Sequence, residues 1–353
     1  MEVSAEFDGH SFLVKKSQDA SRLYSKSHLG KILPGNQLQL DLLEGLFLLG
    51  EGKLAVYQNK KKLDFHSLLV IAAEKIPEFE IKYLVFRDLR KRGYPIQLDD
   101  QTDHIHFHIT KMKTADYNDE QPHFISVFSE RDILDIDETK TLILSIEKRN
   151  STLWFIIVDE EGDLTYYDVS LQNLAGKIPA SNFSKGTGIL LENRVVLFDE
   201  PLISDLLKHE FYGKPFGEGL QLSLVEALYL VEQQILAIQT SDGKTLSPRK
   251  LLEIIKQRQP DMELRLLVFR DLKCRGLIVK TGYKFGTHFR AYTKNPDETH
   301  AEYLIHVVRN GFKSSWAEIS RAVRLAHSVN KNIVFARVDE NIIDYICFGR
   351  LRP

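Results

Sequence analysis

Three histidines alternate along the chain at His104, His106 and His108. Because successive side chains of a strand point to opposite faces, this spacing would place all three on one face. Three imidazoles on one face could serve as zinc ligands. The other half of the chain has no matching triad, which favours a strip of solvated or interface histidines. The sequence therefore predicts no metal site.

A second group of reactive side chains, Tyr292, His300 and Lys331, lies near the C-terminus. Taken singly, each has a simple interpretation: a packed aromatic, a solvated loop residue, and a charge that favours a helix dipole. Two further histidines, His288 and His327, are predicted to be structural or to lie near a substrate rather than to donate protons. The context of these residues decides which interpretation applies.

The chain contains two copies of one sequence pattern, 182 or 183 positions apart. Gly30-Lys31 recurs as Gly213-Lys214, and the run VFRDL is identical at 85–89 and 268–272. A spacing this constant indicates a duplication of the whole unit. The chain is therefore predicted to form two tandem α/β units that share one fold.

The sequence of each copy predicts the same strands and helices in the same order. A strand (Ser11–Lys15; Arg194–Phe198) precedes a short polar helix, and a second helix begins near a Leu-Gln-Leu run. The VFRDL run is typical of an amphipathic helix that a glycine ends. Apolar runs at Leu153–Asp159 and Ile333–Asp339 predict buried strands.

Two further segments complete the predicted organisation. A helix over Trp316–Val329 opens with Ser315 and Glu318 at capping-box spacing. The linker between the copies is predicted at Lys177 to Gly188, because this segment contains Pro, Ser, Gly and Asn residues.

Bulk composition describes an ordinary globular chain of 353 residues, 43% hydrophobic and 27% charged. The net charge of -2 gives no support to nucleic-acid binding and weakly opposes it, although a local basic surface matters more than the total. Cys274 and Cys347 are too few for a disulfide framework or a four-cysteine zinc site. With no signal peptide or membrane-length apolar run, we expect a soluble cytoplasmic protein without a membrane partner.

The two copies differ where the reactive side chains lie. The aligned positions in the first copy are Thr110 for Tyr292, Ser151 for Lys331, and Glu120 or Pro122 for His300. His123 is near enough to His300 in this alignment to leave open whether the first copy lost that residue. Chemistry is therefore expected in the second copy.

The second copy resembles the tRNA-splicing endonucleases. The run GYKFGTHFRAY, a histidine eight residues later, and RLAHSVNKNIVFARVD are similar to the catalytic signature of that family. The resemblance covers both halves, and the two-copy length is similar to the archaeal homodimeric members. It implies an active site of Tyr292, His300 and Lys331. This chain departs from the family at Asn330, where members more often carry a basic residue.

The chemistry that the resemblance implies uses the RNA's own 2′-hydroxyl as nucleophile and leaves a 2′,3′-cyclic phosphate and a 5′-hydroxyl. Histidine, with an ordinary pKa near ~6.5, can protonate the leaving oxygen, and lysine can stabilise charge on the phosphate. Tyrosine, with an ordinary pKa near ~10, needs nearby cations to act as a base, or it orients the hydroxyl. The scheme requires no metal and no cofactor.

The resemblance also implies the fold class, a mixed α/β (α+β) protein of two tandem repeats. Each repeat has an N-terminal helix/sheet domain and a C-terminal nuclease-like α/β domain. The predicted domains are 1–95, the degenerate nuclease-like 96–180, 188–278, and the catalytic 279–353.

Substrate and assembly contacts follow from the same resemblance. Two arginines that clamp a flipped-out base would be Arg324 and Arg350, with Arg352 an equal candidate for the second. The acidic turn Asp159, Glu160, Glu161 and Asp163 would insert into a cleft of the opposing subunit in a homodimer. The implied partner is precursor tRNA with a bulge-helix-bulge motif.

Two other functions compete with this one. A non-catalytic RNA-binding scaffold would be expected to lack at least one of the three reactive residues, as the first copy does. A metal-dependent DNA nuclease would need a pair of carboxylates and a lysine on a strand, and no such group is evident in the sequence.

Overall fold

The computed structural model describes residues 2–99, 101–110, 112–113, 118–119, 121–179 and 181–353. The chain divides into two compact units. The first comprises Met1–Asp132, Leu142–Asp168 and Leu351–Pro353, and the second Ile133–Thr141 and Val169–Arg350. The described residues contain ten α-helices and several sheets, a mixed α/β fold in which one arrangement occurs twice.

Among the described residues, the first copy of the pattern contains fourteen strands and five helices. In chain order they are β1 (Val3–Phe7), β2 (Phe12–Val14), α1 (Ser17–Ser27), β3 (Lys31–Leu33), β4 (Gln37–Leu40), α2 (Leu42–Gly50), β5 (Leu54–Gln58), β6 (Lys61–Leu63), α3 (Phe65–Lys75), α4 (Phe79–Lys91), β7 (Ile96–Leu98), β8 (Phe107–Ile109), β9 (Met112–Lys113), β10 (Asn118–Asp119), β11 (His123–Ser129), β12 (Ile133–Asp135), α5 (Ile136–Glu147), β13 (Thr152–Val158) and β14 (Leu164–Leu171).

The second copy repeats these elements apart from the short pair β9 and β10. They are β15 (Gly186–Leu190), β16 (Val195–Leu197), α6 (Glu200–His209), β17 (Lys214–Phe216), β18 (Gly219–Leu222), α7 (Leu224–Glu232), β19 (Leu236–Gln239), β20 (Thr245–Leu246), α8 (Pro248–Lys256), α9 (Met262–Cys274), β21 (Ile278–Thr281), a 3-10 helix (Tyr283–Phe285), β22 (Phe289–Tyr292), β23 (Tyr303–Arg309), β24 (Lys313–Ser315), α10 (Trp316–Ser328), β25 (Asn332–Asp339) and β26 (Ile342–Leu351).

Sheet order is the same in both copies. The N-terminal sheets run β3-β4-β2-β1-β5-β6 and β17-β18-β16-β15-β19-β20. The C-terminal strands run β7-β8-β11-β13-β14 in the first copy and β21-β22-β23-β25-β26 in the second. The predicted duplication is therefore confirmed at the level of strand connectivity.

The repeated VFRDL run persists because its aspartate ties a helix to a strand in each copy. Asp88 accepts hydrogen bonds from Arg92 Nε at 2.6 Å and from the Tyr166 hydroxyl at 2.5 Å. In the second copy, Asp271 accepts from the Tyr345 hydroxyl at 2.6 Å and from the next-turn arginine at the same distance. These charge-assisted bonds anchor α4 and α9 to the last strand of each copy.

The predicted helices and buried strands are confirmed, with one adjustment. The Leu-Gln-Leu run forms β4 and β18, and the following helix begins two residues beyond it, at Leu42 and Leu224. Asp41 and Ser223 accept the N–H of the residue three positions on, and each helix start has a capping box. These caps fix the helix start and leave the preceding run free to pair as a strand.

Each unit buries its own apolar core, and equivalent aromatic pairs occur in both. Phe86 and Phe107 have ring centroids 6.2 Å apart, and Phe269 and Phe289 are 5.9 Å apart. The helix carrying VFRDL thus packs on the sheet in the same way twice. No helix in the part of the chain that the structure describes is long and apolar enough to cross a membrane.

The prediction that His104, His106 and His108 share one face of a strand is wrong. His104 lies in a turn with a φ of 62°, and only His108 belongs to β8. His106 Nδ1 accepts the backbone N–H of Val127 at 2.8 Å, so its ring is engaged with the neighbouring strand. A left-handed turn at His104 breaks the alternation on which the prediction depended.

Candidate active site

At one end of the second copy's sheet, β22 ends and its neighbours β23 and β25 begin, so residues of the three strands stand side by side in a row. Ala291 on β22 stands opposite Tyr303 on β23, which stands opposite Asn332 on β25. One further step of this register aligns Tyr292, Glu302 and Lys331. Since adjacent strands lie ~4.8 Å apart, the backbones of Tyr292 and Lys331 are about 10 Å apart.

Arg350 extends the same row to a fourth strand. The pairing of the antiparallel strands β25 and β26 begins at Ile333 and Phe348, and continuing its register by two residues would set Lys331 opposite Arg350. Arg350 is exposed and lies near the end of β26. The register thus brings Tyr292, Lys331 and Arg350 to the same end of the second copy's sheet.

Tyr292 lies at the end of β22 and is 7% exposed. Its ring packs with Ile278 and Ala301, which leaves the last residue of the strand anchored by its neighbours. The guanidinium carbon of Arg290 lies 5.7 Å from the centroid of the Tyr292 ring. Because the two residues are separated by one position on the strand, they face the same side of the sheet.

Lys331 is positioned by the turn between α10 and β25. Its backbone N–H donates to the Ala326 carbonyl at 3.0 Å, and Asn330 takes a φ of 54°. Asparagine tolerates this left-handed conformation better than most residues, so it suits this position of the turn. The Lys331 ammonium donates to the Val329 carbonyl at 3.3 Å and lies 5.8 Å from the Phe285 ring centroid.

Two other cationic side chains, Lys284 and Arg290, lie close enough to the Lys331 ammonium to affect its pKa. Burial lowers the pKa of Lys331, and the charges of Lys284 and Arg290 lower it further. The ammonium thus lies among other positive charges, an arrangement that a bound phosphate would relieve. Sequence reasoning missed Lys284 and Arg290. The available signal was their position inside GYKFGTHFRAY, with Arg290 two residues before Tyr292.

His300 lies in the exposed loop that joins β22 to β23. Asn295 shapes the loop: its side-chain oxygen accepts the Asp297 N–H at 2.9 Å, and its carbonyl accepts the Thr299 hydroxyl at 3.0 Å. The loop returns to the row through Glu302, whose carboxylate accepts a hydrogen bond from the Thr293 hydroxyl. His300 is therefore held two positions before the row and remains accessible to a ligand.

His288 occupies a structural position. Its Nδ1 accepts the backbone N–H of Val307 at 3.0 Å, as His106 accepts that of Val127 in the first copy. Burial, followed by the neighbouring His306, lowers the pKa of His288 to about 4. It is therefore neutral at pH 7 and carries no proton to donate from Nδ1. His327 is exposed in the last turn of α10.

The first copy has different side chains at the three positions. His123 pairs with Thr152 as Tyr303 pairs with Asn332, so His123 corresponds to Tyr303 and not to His300. Its ring is buried and stacks on Trp154 at 4.4 Å. Counting from this register gives these correspondences: Thr110 for Tyr292, Ser151 for Lys331, and Glu120, which lies outside the described residues, for His300.

The remaining candidate RNA contacts are exposed arginines. Arg324 is exposed on α10, about two turns before Lys331, and forms no ion pair with any residue that the structure describes. Arg352 is also exposed but falls in the first unit. Arg350 is thus the arginine that the strand register aligns with Lys331.

The acidic turn joins β13 to β14, and its four carboxylates have different surroundings. Asp159 accepts the N–H groups of Glu161 and Asp163 at 3.0 and 2.8 Å, so it organises the turn. Glu160 pairs with Arg131 at 2.5 Å on the surface. Glu161 and Asp163 are exposed and have no ion-pair partner within the described ranges.

No cluster of three or more histidine, cysteine, aspartate or glutamate side chains suited to a metal ion occurs among the residues that the structure describes. The row itself contains one carboxylate, Glu302, which accepts a hydrogen bond from Thr293.

Comparison with known proteins gives matches over nearly the whole chain. The family model described as "tRNA intron endonuclease, catalytic C-terminal domain" matches residues 79–166 and 262–345. The model described as "tRNA intron endonuclease, N-terminal domain" matches residues 3–69 and 186–252. Among curated relatives, a tRNA-splicing endonuclease of Methanococcoides burtonii is 34% identical, covering 99% of this chain and 100% of the relative. That of Methanosarcina barkeri is 32% identical with the same coverage.

Proposed function

Because the chain belongs to the tRNA intron endonuclease family, we propose that it excises introns from precursor tRNA by cutting both strands of a bulge-helix-bulge motif. The observation that carries this proposal is the row formed by Tyr292, Lys331 and Arg350, with His300 in the adjoining loop. The curated relatives carry the name tRNA-splicing endonuclease, which agrees with an RNA substrate.

In the proposed reaction, the Tyr292 oxygen takes the proton of the 2′-hydroxyl that precedes the scissile bond. The 2′-oxygen bonds to phosphorus while the bond from phosphorus to the 5′-oxygen breaks. His300 gives a proton to that leaving oxygen, producing a 5′-hydroxyl and a 2′,3′-cyclic phosphate. Lys331 stabilises the charge that develops on the non-bridging oxygens.

The cations around Tyr292 support its part in this scheme. Arg290 lies beside the ring, and Lys331 is two strands away in the same row. Cations at these positions can stabilise the negative charge that develops on the reacting groups. The proposal assigns all charge stabilisation to side chains of the chain and includes no metal or cofactor.

We assign the first copy a structural role, because Thr110 and Ser151 replace the tyrosine and the lysine there. Arg324 and Arg350 are proposed to stack on a flipped-out base, as guanidinium planes do in unpaired RNA. The acidic turn is proposed to join two chains into a homodimer with two second-copy sites, one for each cleavage point. A non-catalytic scaffold is not favoured, since the second copy retains all three reactive side chains.

The test is cleavage of an intron-containing precursor tRNA by the purified protein in EDTA, followed by analysis of the product ends. The proposal predicts two cuts, with 2′,3′-cyclic phosphate on the upstream fragments and 5′-hydroxyl on the downstream fragments. Cleavage that requires added Mg²⁺, or that leaves 5′-phosphate ends, would contradict the proposed chemistry.

A further inference from the structure

A basic cavity of about 470 Å³ lies in the second unit beside the strand of Tyr292. Its lining includes four cationic side chains, Arg194, Lys214, Lys280 and Arg290, and one carboxylate, Glu226. Positive charge therefore exceeds negative charge around the cavity, although the whole chain has a net charge of -2. Such a local excess of charge is the usual sign of an anion-binding surface.

The one carboxylate in the cavity lining, Glu226, already has hydrogen-bond and ion-pair partners. Glu226 accepts the backbone N–H groups of Gly213 and Ser223 at 3.0 and 2.9 Å. The Lys280 ammonium lies 3.6 Å from the same carboxylate and donates to the Gly213 carbonyl at 2.8 Å. Glu226 therefore offsets Lys280, and the charges of the other three cations are left for a ligand.

Arg290 in particular has unused hydrogen-bonding capacity. Its buried Nε has no hydrogen-bond partner within the part of the chain that the structure describes. A buried donor without a partner is costly, and an ordered ligand is one way to satisfy it. Arg290 also approaches the Tyr292 ring, so a ligand bound to it would lie next to the proposed catalytic row.

The first copy has lost most of this charge. Gln97 pairs with His108 across β7 and β8 as Lys280 pairs with Arg290 across β21 and β22. Ser11 occupies the position of Arg194: the Gln39 amide donates a hydrogen bond to the Ser11 hydroxyl, and Arg194 donates one to the Gln221 side chain. Ser11, Gln97 and His108 thus stand in place of three of the four lysines and arginines, and Lys31 alone remains in place of Lys214. The cationic lining coincides with the copy that retains the reactive residues.

We propose that this cavity binds a backbone phosphate of the RNA strand that continues from the cleavage site, through Arg290 and Lys214 with Arg194 beside them. The inference rests on the proposed function, because it takes the anion to be the substrate's phosphodiester. An Arg guanidinium and a Lys ammonium are common phosphate contacts in RNA complexes. This site positions the strand without reading its sequence.

The experiment measures the affinity of a bulge-helix-bulge RNA with 2′-deoxy nucleotides at both scissile positions, which prevents attack. Binding is measured between about 50 and 200 mM salt for Lys214→Gln and Arg290→Gln, and for Lys31→Gln as matched control from the first copy. Each second-copy variant is expected to lose affinity several-fold and to reduce the slope of log affinity against log salt by about one. The Lys31→Gln protein should bind like the wild type.

Arg290→Lys tests whether charge alone is sufficient, and it should restore the salt slope that Arg290→Gln loses. If Arg290→Gln fails to fold, Lys214→Gln carries the test, because that side chain is exposed. A folded Lys214→Gln protein with the affinity and salt slope of the wild type would overturn this inference alone, provided that the wild type cuts precursor tRNA. A wild type that neither binds nor cuts the RNA would overturn the proposed function as well.

Discussion

At the scale of single residues, the side chains proposed for catalysis could be named from the sequence, but their neighbours could not. Lys331 could be identified because a helix pattern and an apolar strand frame it on both sides. The contribution of Arg290 could not, since a cation two residues from a tyrosine is common in strands and its unpaired Nε is visible only in the folded chain. The residues that tune a site come from several elements and leave no local sequence pattern.

His288 shows how a histidine within a catalytic-looking motif can instead be structural. It accepts a strand N–H, and His306, Arg265 and Asp261 are the titratable and charged groups that face it. Burial, then the charges of His306 and Arg265, lower its pKa to about 4 from an ordinary 6.5. Because the pKa is lower in the folded protein, the free energy of unfolding includes roughly 3 kcal/mol that is present above pH 6.5 and is lost as the pH falls towards 4.

We therefore expect His288→Gln to lower the thermal midpoint most at pH 7 to 8, and the gap from wild type to narrow as the pH falls from about 6.5 to about 5. Thermal unfolding of both proteins across this range measures the gap. His209→Gln, at an exposed position on α6, is the control and should follow the wild type. A gap that stays constant with pH would show that His288 does not titrate as described.

At the scale of elements, the duplication was predictable because its two runs recur at constant spacing. Register was not. The alignment of Arg350 with Lys331 depends on how β25 and β26 pair, and the correspondence of His123 with Tyr303 depends on β11 and β23. Strand pairing is decided by the packing of whole faces, so no local pattern specifies it. The left-handed turn at His104 escaped prediction for a similar reason.

The acidic turn gives a prediction at this scale. Since Asp159 holds the turn together and Glu160 pairs with Arg131, Glu161 and Asp163 are the carboxylates available to another chain. Glu161→Lys should weaken dimerisation by about tenfold or more, since reversing one charge at an interface readily costs ~1.4 kcal/mol. Sedimentation over a range of protein concentrations measures the change.

The matched control for the acidic turn is Glu340→Lys, the same charge reversal in the equivalent turn between β25 and β26. It should leave the dissociation constant unchanged. Equal weakening by both variants would indicate a general charge effect and would count against the acidic turn as the dimer contact.

At the scale of the whole molecule, one fold is used twice for different purposes. The helix-to-strand anchors of Asp88 and Asp271 are kept in both copies, because each copy needs them to pack. The proposed catalytic side chains and the cationic cavity occur in the second copy, where three of the four cavity cations have no lysine or arginine counterpart in the first. The residues that anchor the fold thus occur in both copies, whereas the residues that we propose for the chemistry occur in the second.

The measurement that tests this account most directly is single-turnover cleavage of precursor tRNA by His300→Ala. Loss of the acid that protonates the leaving oxygen should slow cleavage by about 10²- to 10⁴-fold. Affinity for the 2′-deoxy RNA should remain that of the wild type, and His209→Ala should cut normally. Undiminished cleavage by His300→Ala would contradict the assignment of catalysis to Tyr292, His300 and Lys331 in the second copy.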